Sequence, residues 1–279
     1  PEKYQSDISA LIGITQPAAI LTEPAYLSLM QQIAGPETSV HTVIDITTCS
    51  PALSLPDHDR LRGLRRSPQD IVLLQHSSGT TGLQKGVALS NQAVIRQVDT
   101  YSAELYLVKD DVIVSWLPLY HDMGLIAGFL LPVISGVPLV LMSPFDWVRA
   151  PHRLLQAVST YKGTLTWLPN FAYNFCAQKI RERDIVDVDL SSWRAISNCS
   201  EPMRWESHQL FYERFKSKGL SYSALTTCYA MAENVFAVSQ GGMDGPVETL
   251  AVDSVNLISQ RKLTPPSNVV VPKVNRSSP

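Results

Sequence analysis

The sequence contains no CxxC pair: its four cysteines, Cys49, Cys176, Cys199 and Cys228, lie far apart. This spacing speaks against a zinc site and against a disulfide framework, and it predicts reduced thiols in a cytoplasmic protein. No basic stripe is present either. A net charge of -2 leaves no electrostatic footprint for nucleic acid or for an anionic membrane, so small molecules are the expected partners. No repeat with a period of roughly 20 to 50 residues recurs, which excludes solenoids and propellers. The opening residues, PEKYQSDISA, lack both a basic-then-apolar signal pattern and an initiator Met, so the chain reads as a piece of a longer one.

Charge is also missing between Met123 and Met142, MGLIAGFLLPVISGVPLVLM, a stretch as long as a membrane span. Pro132, Gly136 and Pro138 break it into an apolar helix followed by a short β-rich piece, VPLVLM. That pattern suits a buried helix-turn-strand unit, and no transmembrane segment is expected.

What the chain does have is a globular composition, with 279 residues of which 45% are apolar and 17% charged. Short β-rich runs alternate with helix-length segments: AAILT (18–22), HTVIDI (41–46), DIVLLQ (70–75), DVIVSW (111–116), VPLVLM (137–142), GTLTWL (163–168) and WRAIS (193–197). Thr22, Asn91 and Pro151 mark helix starts before Glu23 to Ala34, Gln92 to Tyr106 and His152 to Tyr161. The alternation predicts an α/β fold of layered, mostly parallel sheets flanked by helices. Residues 1–262 are assigned to one partial large domain with its motifs between 71 and 240, and residues 263–279, rich in proline and serine, to a linker-like tail.

The densest chemical signal is SSGTTGLQKG, Ser77 to Gly86. Gly79, Gly82 and Gly86 let backbone approach a ligand closely, Ser77, Ser78, Thr80 and Thr81 supply hydroxyls, and Lys85 supplies a cation. Directly after an apolar strand, this set suits a polyphosphate. A Walker loop needs Ser or Thr after the lysine and a helix beyond it. Here Gly86 follows Lys85 and strand-like VALS comes next, so the loop joins two strands.

With WLPLYHDMGL (116–125), NCSEP (198–202) and CYAMAENV (228–235) following in order, the sequence resembles the adenylate-forming superfamily of acyl-CoA synthetases, adenylation domains and fatty acyl-AMP ligases. TWLPNFAYNFC (166–176) and DLSSWRAISNCSEP (189–202) make it most similar to the fatty acyl-AMP ligase branch, over roughly Ile71 to Gln240. The resemblance implies ATP-dependent conversion of a fatty acid to acyl-AMP, with Mg²⁺ as cofactor and a carrier protein or coenzyme A as acceptor. It also implies a large domain without the small carboxy-terminal domain and its lysine, and hence weak or absent turnover by this chain alone, the alternative being a non-catalytic fragment that binds ATP and acyl groups.

The same resemblance implies roles for individual residues. Lys85, His121 and Glu233 are expected at the reaction centre, with Glu233 ligating Mg²⁺. Ser200, Glu201, Pro202, Cys228, Tyr229, Ala230 and Met231 join the loop residues around ATP, and Tyr229 packs on adenine. His121, Asp122 and Met123, with Phe171 and Tyr173, are expected along the acyl group. Read from the residues alone, His121 with Asp122 makes only a weak metal pair, and Phe171, Tyr173 and Phe175 fit core packing as well as an acyl tunnel. A Glu within apolar CYAMAENVFAV is costly to bury without a cation, though an exposed position costs nothing. Cys199 and Ala230 depart from the family pattern, where a small Gly or Ala and a Gly are usual.

Overall fold

The computed structural model describes residues 2–49, 67–76, 86–250 and 252–262. It divides into two compact units, Pro1–Arg65 and Arg66–Pro279. In the first, α1 (Glu2–Thr15) precedes β1 (Ala19–Thr22), α2 (Pro24–Ile33) and β2 (Thr42–Asp45). The two strands pair in parallel, Ala19 opposite Thr42, with α2 as the crossover. Pro24 opens α2 because its missing N–H is one the first helical turn leaves unpaired anyway. Its N-cap is Glu23, one residue beyond the expected Thr22.

The second unit holds two sheets. β3 (Ile71–His76) and β4 (Gly86–Ser90) pair antiparallel, Ile71 opposite Ser90 and His76 opposite Gly86. Ser77 to Lys85 lie outside the described residues, but the two strands expected to flank that loop are present. The Ser90 hydroxyl accepts from the Ala93 amide and caps α3 (Asn91–Glu104), so the cap stands one residue before the expected Asn91.

The larger sheet has six strands in the order β10-β9-β8-β7-β5-β6: β5 (Ile113–Ser115), β6 (Leu139–Leu141), β7 (Leu165–Leu168), β8 (Ala195–Asn198), β9 (Leu225–Ala230) and β10 (Ala237–Gly241). Strands β5 to β9 are parallel, and β10 turns back antiparallel along β9. The central strands β5, β7 and β8 are buried along their whole length, as expected for strands covered on both faces. Connecting them are α4 (Leu131–Ser135), α5 (Pro144–Arg149), α6 (His152–Tyr161), α7 (Asn170–Lys179) and α8 (Trp205–Phe215), with α9 (Ser254–Gln260) beyond the sheet.

The uncharged stretch that imitates a membrane span is not one continuous α-helix. Met123–Leu130 is wound as a π-helix, passes directly into α4, and ends at Gly136 in the left-handed conformation before β6. No helix among the described residues is long and apolar enough to cross a membrane. Gly124 and Gly128 permit this packing: a Cβ on Gly124 would stand 2.2 Å from the Pro118 carbonyl oxygen, and one on Gly128 2.6 Å from Ser115 Oγ. The π segment can therefore lie directly against the end of β5 and the turn after it.

Candidate active site

In parallel sheets, ligand sites gather where strands deliver their carboxyl ends. Four loops leave that end of the large sheet side by side. Residues 116–123 follow β5, 169–171 follow β7, 199–204 follow β8, and 229–235 close β9 and lead into β10. Every sequence-predicted site residue within the described part belongs to one of these loops or to the helix turn it opens, except Cys228, which lies within β9 just before its loop.

After β5, His121 and Asp122 form a tight pair, Nδ1 to Oδ1 2.6 Å. That hydrogen bond raises the His121 pKa above the ordinary histidine value, outweighing partial burial, which acts the other way. The same carboxylate oxygen accepts from the Met123 amide at the start of the π segment. His121 is thus fixed in orientation, proton-rich and exposed at its outer edge. Met123 is buried, and its sulfur accepts from the Ser200 hydroxyl at 3.7 Å, which joins the β5 loop to the β8 loop.

The β8 loop is held by the first turn of α7. The Phe171 amide donates to Glu201 Oε2 at 2.9 Å, a carboxylate on unpaired helix N–H groups. Asn170 Oδ1 accepts from the Arg204 amide and from Asn198 Nδ2, both at 3.0 Å. Asn198 also lies 3.0 Å from His208 Nε2 on α8. Burial lowers the His208 pKa to about 4, so the ring is neutral and can accept that bond. Between these anchors Ser200 adopts φ +68, the left-handed region, while Ser200, Glu201 and Pro202 are exposed. The Glu201 side chain is committed to α7, which leaves the exposed backbone of the turn facing outward. Beside it is a cavity of about 300 Å³, lined by Met203, Arg204, Trp205, His208, Thr227 and Val247 among others.

In the β9 loop, Tyr229 and Met231 are exposed, Ala230 is half-buried and Cys228 is buried. Glu233 sits in a short 3-10 turn, Ala232–Asn234, and is exposed. The cost of burying a carboxylate in an apolar run is therefore avoided by the turn itself. Among the described residues Glu233 makes no ion pair, and no group of three His, Cys, Asp or Glu side chains forms a protein-only metal cage. Close by, Gln75 Nε2 donates to the Val235 carbonyl at 3.4 Å. Gln75 stands two residues before Ser77, so the strand leading to the glycine-rich loop ends beside the Glu233 turn. Ser77, Ser78, Gly79, Thr80, Thr81, Gly82 and Lys85 themselves lie outside the described residues.

Phe171, Tyr173 and Phe175 do not share one face, because they lie on helix α7, where positions two apart point in different directions. Tyr173 is fully buried and its hydroxyl donates to the Ile196 carbonyl, a core role. Phe171 is exposed at the mouth of the β7 loop and meets Trp116 and Trp147 edge-on. Those two indoles stack with centroids 3.6 Å apart.

Several supporting residues carry no local sequence signal. Tyr101 on α3 accepts from Trp167 Nε1 at 2.8 Å and donates to Gln240 Oε1 at 2.9 Å, while Gln240 Nε2 donates to Ser197 Oγ at 3.3 Å. This buried chain backs β8 and β9 directly beneath the loops. Its partners are remote in sequence, as are Asn170 and His208, and only folding brings them together.

Comparison with known proteins agrees with this arrangement. The family model for the AMP-binding enzyme matches residues 4–260. A medium-chain-fatty-acid acyl-carrier-protein ligase of Teredinibacter turnerae is 34% identical over 68% of this chain, which spans 30% of that protein. Among solved structures, one from a study of fatty acyl-adenylate ligases from E. coli and L. pneumophila superposes with a TM-score of 0.83 at 29% identity, covering 94% of this chain and 47% of that one. The L. pneumophila fatty acyl-adenylate ligase in complex with acyl adenylate and pyrophosphate gives 0.73 at 29% identity, covering 88% and 42%. The chain thus spans less than half the length of these relatives, and within that span its described motif loops leave the carboxyl end of the large sheet. It belongs to the AMP-binding enzyme family.

Proposed function

We propose that this chain carries the nucleotide- and acyl-binding half of an enzyme that converts a fatty acid and ATP to acyl-AMP and pyrophosphate, for transfer to an acyl carrier protein. The observation that carries the reading is the convergence of the His121, Ser200 and Tyr229–Glu233 loops on one end of the sheet, with the strand before the glycine-rich loop ending beside Val235. The names of the relatives, fatty acyl-adenylate ligases and an acyl-carrier-protein ligase, supply the substrate class and the acceptor.

The roles follow from the surroundings of each side chain. His121, kept proton-rich by Asp122, attracts the fatty acid carboxylate and holds it toward the nucleotide. Tyr229 offers an exposed ring for adenine to stack on, and the 200–202 turn offers exposed backbone for its edge. Glu233, exposed and without an ion pair among the described residues, fits a Mg²⁺ held mainly by substrate phosphates rather than by a protein cage. When bound, that ion neutralises charge developing between the phosphates. Lys85 and the loop hydroxyls are assigned to the same charge. Phe171, beside the stacked Trp116 and Trp147, gives the acyl chain an apolar surface at the mouth.

Catalysis on this reading is positioning and electrostatics, with the carboxylate oxygen attacking the α-phosphate as pyrophosphate leaves. The test has two parts. Calorimetry on this chain is expected to show Mg²⁺-dependent ATP binding that Glu233→Gln weakens about tenfold, the loss of a charged contact of about 1.4 kcal/mol. Fatty-acid-dependent ATP–pyrophosphate exchange is expected from a protein spanning the relatives' full length. Mg²⁺-independent binding, or exchange with no carboxylate, contradicts the proposal.

A further inference from the structure

Two buried thiols take no part in that chemistry. In the parallel β8–β9 ladder Ser197 stands opposite Thr226, and Asn198 opposite Thr227. One more step of the same register sets Cys199 opposite Cys228. Residues two apart on a strand share a face, and the Ser197 and Thr226 hydroxyls already meet on this one at 2.8 Å. The thiols are the next pair along it, one step closer to the loops, and each perturbs the other's proton affinity. Adjacent strands stand about 4.8 Å apart. That separation lies within the Cα range of about 4.4 to 6.8 Å that a disulfide spans.

The polar surroundings of the two sulfurs differentiate them. Ser200 Oγ lies 3.7 Å from Cys199 Sγ, and the Tyr101 hydroxyl 3.7 Å from Cys228 Sγ. The neighbouring Cys228 thiol, helped by Ser200, holds the Cys199 thiol below the ordinary range despite its burial. The same thiol contact, together with burial, pushes Cys228 up. Cys199 is thus the sulfur prepared to lose its proton, and Cys228 the one that keeps it. By contrast, Cys176 is a solitary core thiol that burial pushes up to about 12, and Cys49 is exposed.

We propose that Cys199 and Cys228 form a redox modification site that a small peroxide converts to a reversible disulfide. The Cys199 thiolate attacks the peroxide O–O bond, giving a sulfenic acid and releasing an alcohol, or water from hydrogen peroxide. Cys228 then attacks that sulfur: the S–S bond forms, the S–O bond breaks, and the Cys228 proton leaves with the hydroxyl as water. The two thiols are oxidised and the peroxide is reduced. The bond ties the Ser200 turn to the residue before Tyr229, so it acts on the two loops between which the nucleotide is proposed to sit. Both sulfurs are almost fully buried, so the exposed Cys49 reacts first and the pair follows as the adjoining turn opens.

The test is peptide mapping of the folded wild-type chain, reduced and then treated with hydrogen peroxide before alkylation in denaturant. The expected product is one cross-linked peptide pair joining Cys199 to Cys228, released by dithiothreitol, with Cys176 still alkylated as the sign that the core stayed closed. Cys199→Ser is expected to abolish the cross-link, with circular dichroism reporting its fold. The proposal is overturned if both sulfurs remain alkylatable once Cys49 is fully oxidised, if they end as sulfinic acids without cross-linking, or if they pair as often with Cys49 or Cys176.

Discussion

The two ends of the six-stranded sheet are built on opposite principles. At the amino end, Asp111 precedes β5, Thr164 precedes β7 and Arg194 precedes β8, and the three lock together. Arg194 Nε and Nη2 donate to the two Asp111 oxygens at 2.8 and 2.7 Å, and Thr164 Oγ1 donates to Oδ1 at 2.7 Å. The Val108 amide donates to Oδ2 as well, and Arg194 reaches on to the Leu105 carbonyl. Burial alone would raise the Asp111 pKa, but the Arg194 guanidinium and these donors bring it below the usual carboxylate range. At the carboxyl end the pattern reverses. His121, Tyr229 and Glu233 are exposed, Ser200 holds an uncommon backbone conformation, and polar side chains are left facing outward. One end has its polar groups paired within the protein, and the other leaves several exposed where the proposed function places a ligand. The difference shows how a fold separates stability from function along a single set of strands.

The largest expected effect lies at the locked end. Asp111→Ala leaves Arg194 and Thr164 without their shared acceptor, and urea unfolding is expected to show a loss of about 3 to 5 kcal/mol. A loss below about 1 kcal/mol would mean that the lock is ornamental and the contrast between the ends overstated.

At the loop end the stability effects are indirect. His208, which supports the Ser200 turn through Asn198, is held near 4 in the folded state against about 6.5 unfolded. The folded protein therefore binds fewer protons, and its stability, full above pH about 6.5, falls as pH drops toward 4. The limit is about 3 kcal/mol by linkage. Denaturation of wild type and His208→Gln across this window is expected to show that slope only in the wild type. Equal slopes would remove His208 from the account.

Gly124→Ala drives a methyl into the Pro118 carbonyl, which is backbone and cannot rotate away. A stability loss of about 2 kcal/mol is expected from overpacking, together with displacement of His121 and Met123. The smallest stability effect belongs to Glu233→Gln, expected within about 0.5 kcal/mol of wild type because the exposed carboxylate has no ion pair among the described residues. A larger change would show that Glu233 holds the turn rather than a ligand.

Local pattern made much of this legible. The β-rich runs from AAILT to WRAIS all correspond to strands; in the large sheet this is because buried parallel strands are continuous in apolar residues, whereas DIVLLQ is an antiparallel and largely exposed strand. The motif loops at 116–123, 169–171 and 199–204 could be placed because each follows one of those runs, whereas the loop at 229–235 follows a strand that none of them marked. The β9–β10 hairpin did not stand out, since LTTCYA mixes small polar and apolar residues and reads equally well as loop. The i,i+2 aromatics of NFAYNF suggested a shared lining, whereas helix α7 sends Tyr173 into the core and Phe171 outward. The supports were invisible for a different reason. Tyr101 meets Gln240 across 139 residues of sequence, and Asp111 meets Arg194 across 83. No local periodicity encodes such pairings, which arise only once the sheet order is set.

The most direct test of the contrast is hydrogen exchange of the folded chain with and without Mg²⁺–ATP. The account predicts added protection at residues 77–86, 121–125, 199–204 and 228–236, with residues 105–113 and 190–196 protected equally in both states. Protection gained at the Asp111–Arg194 end, or no nucleotide-dependent change at the three loops, would contradict it.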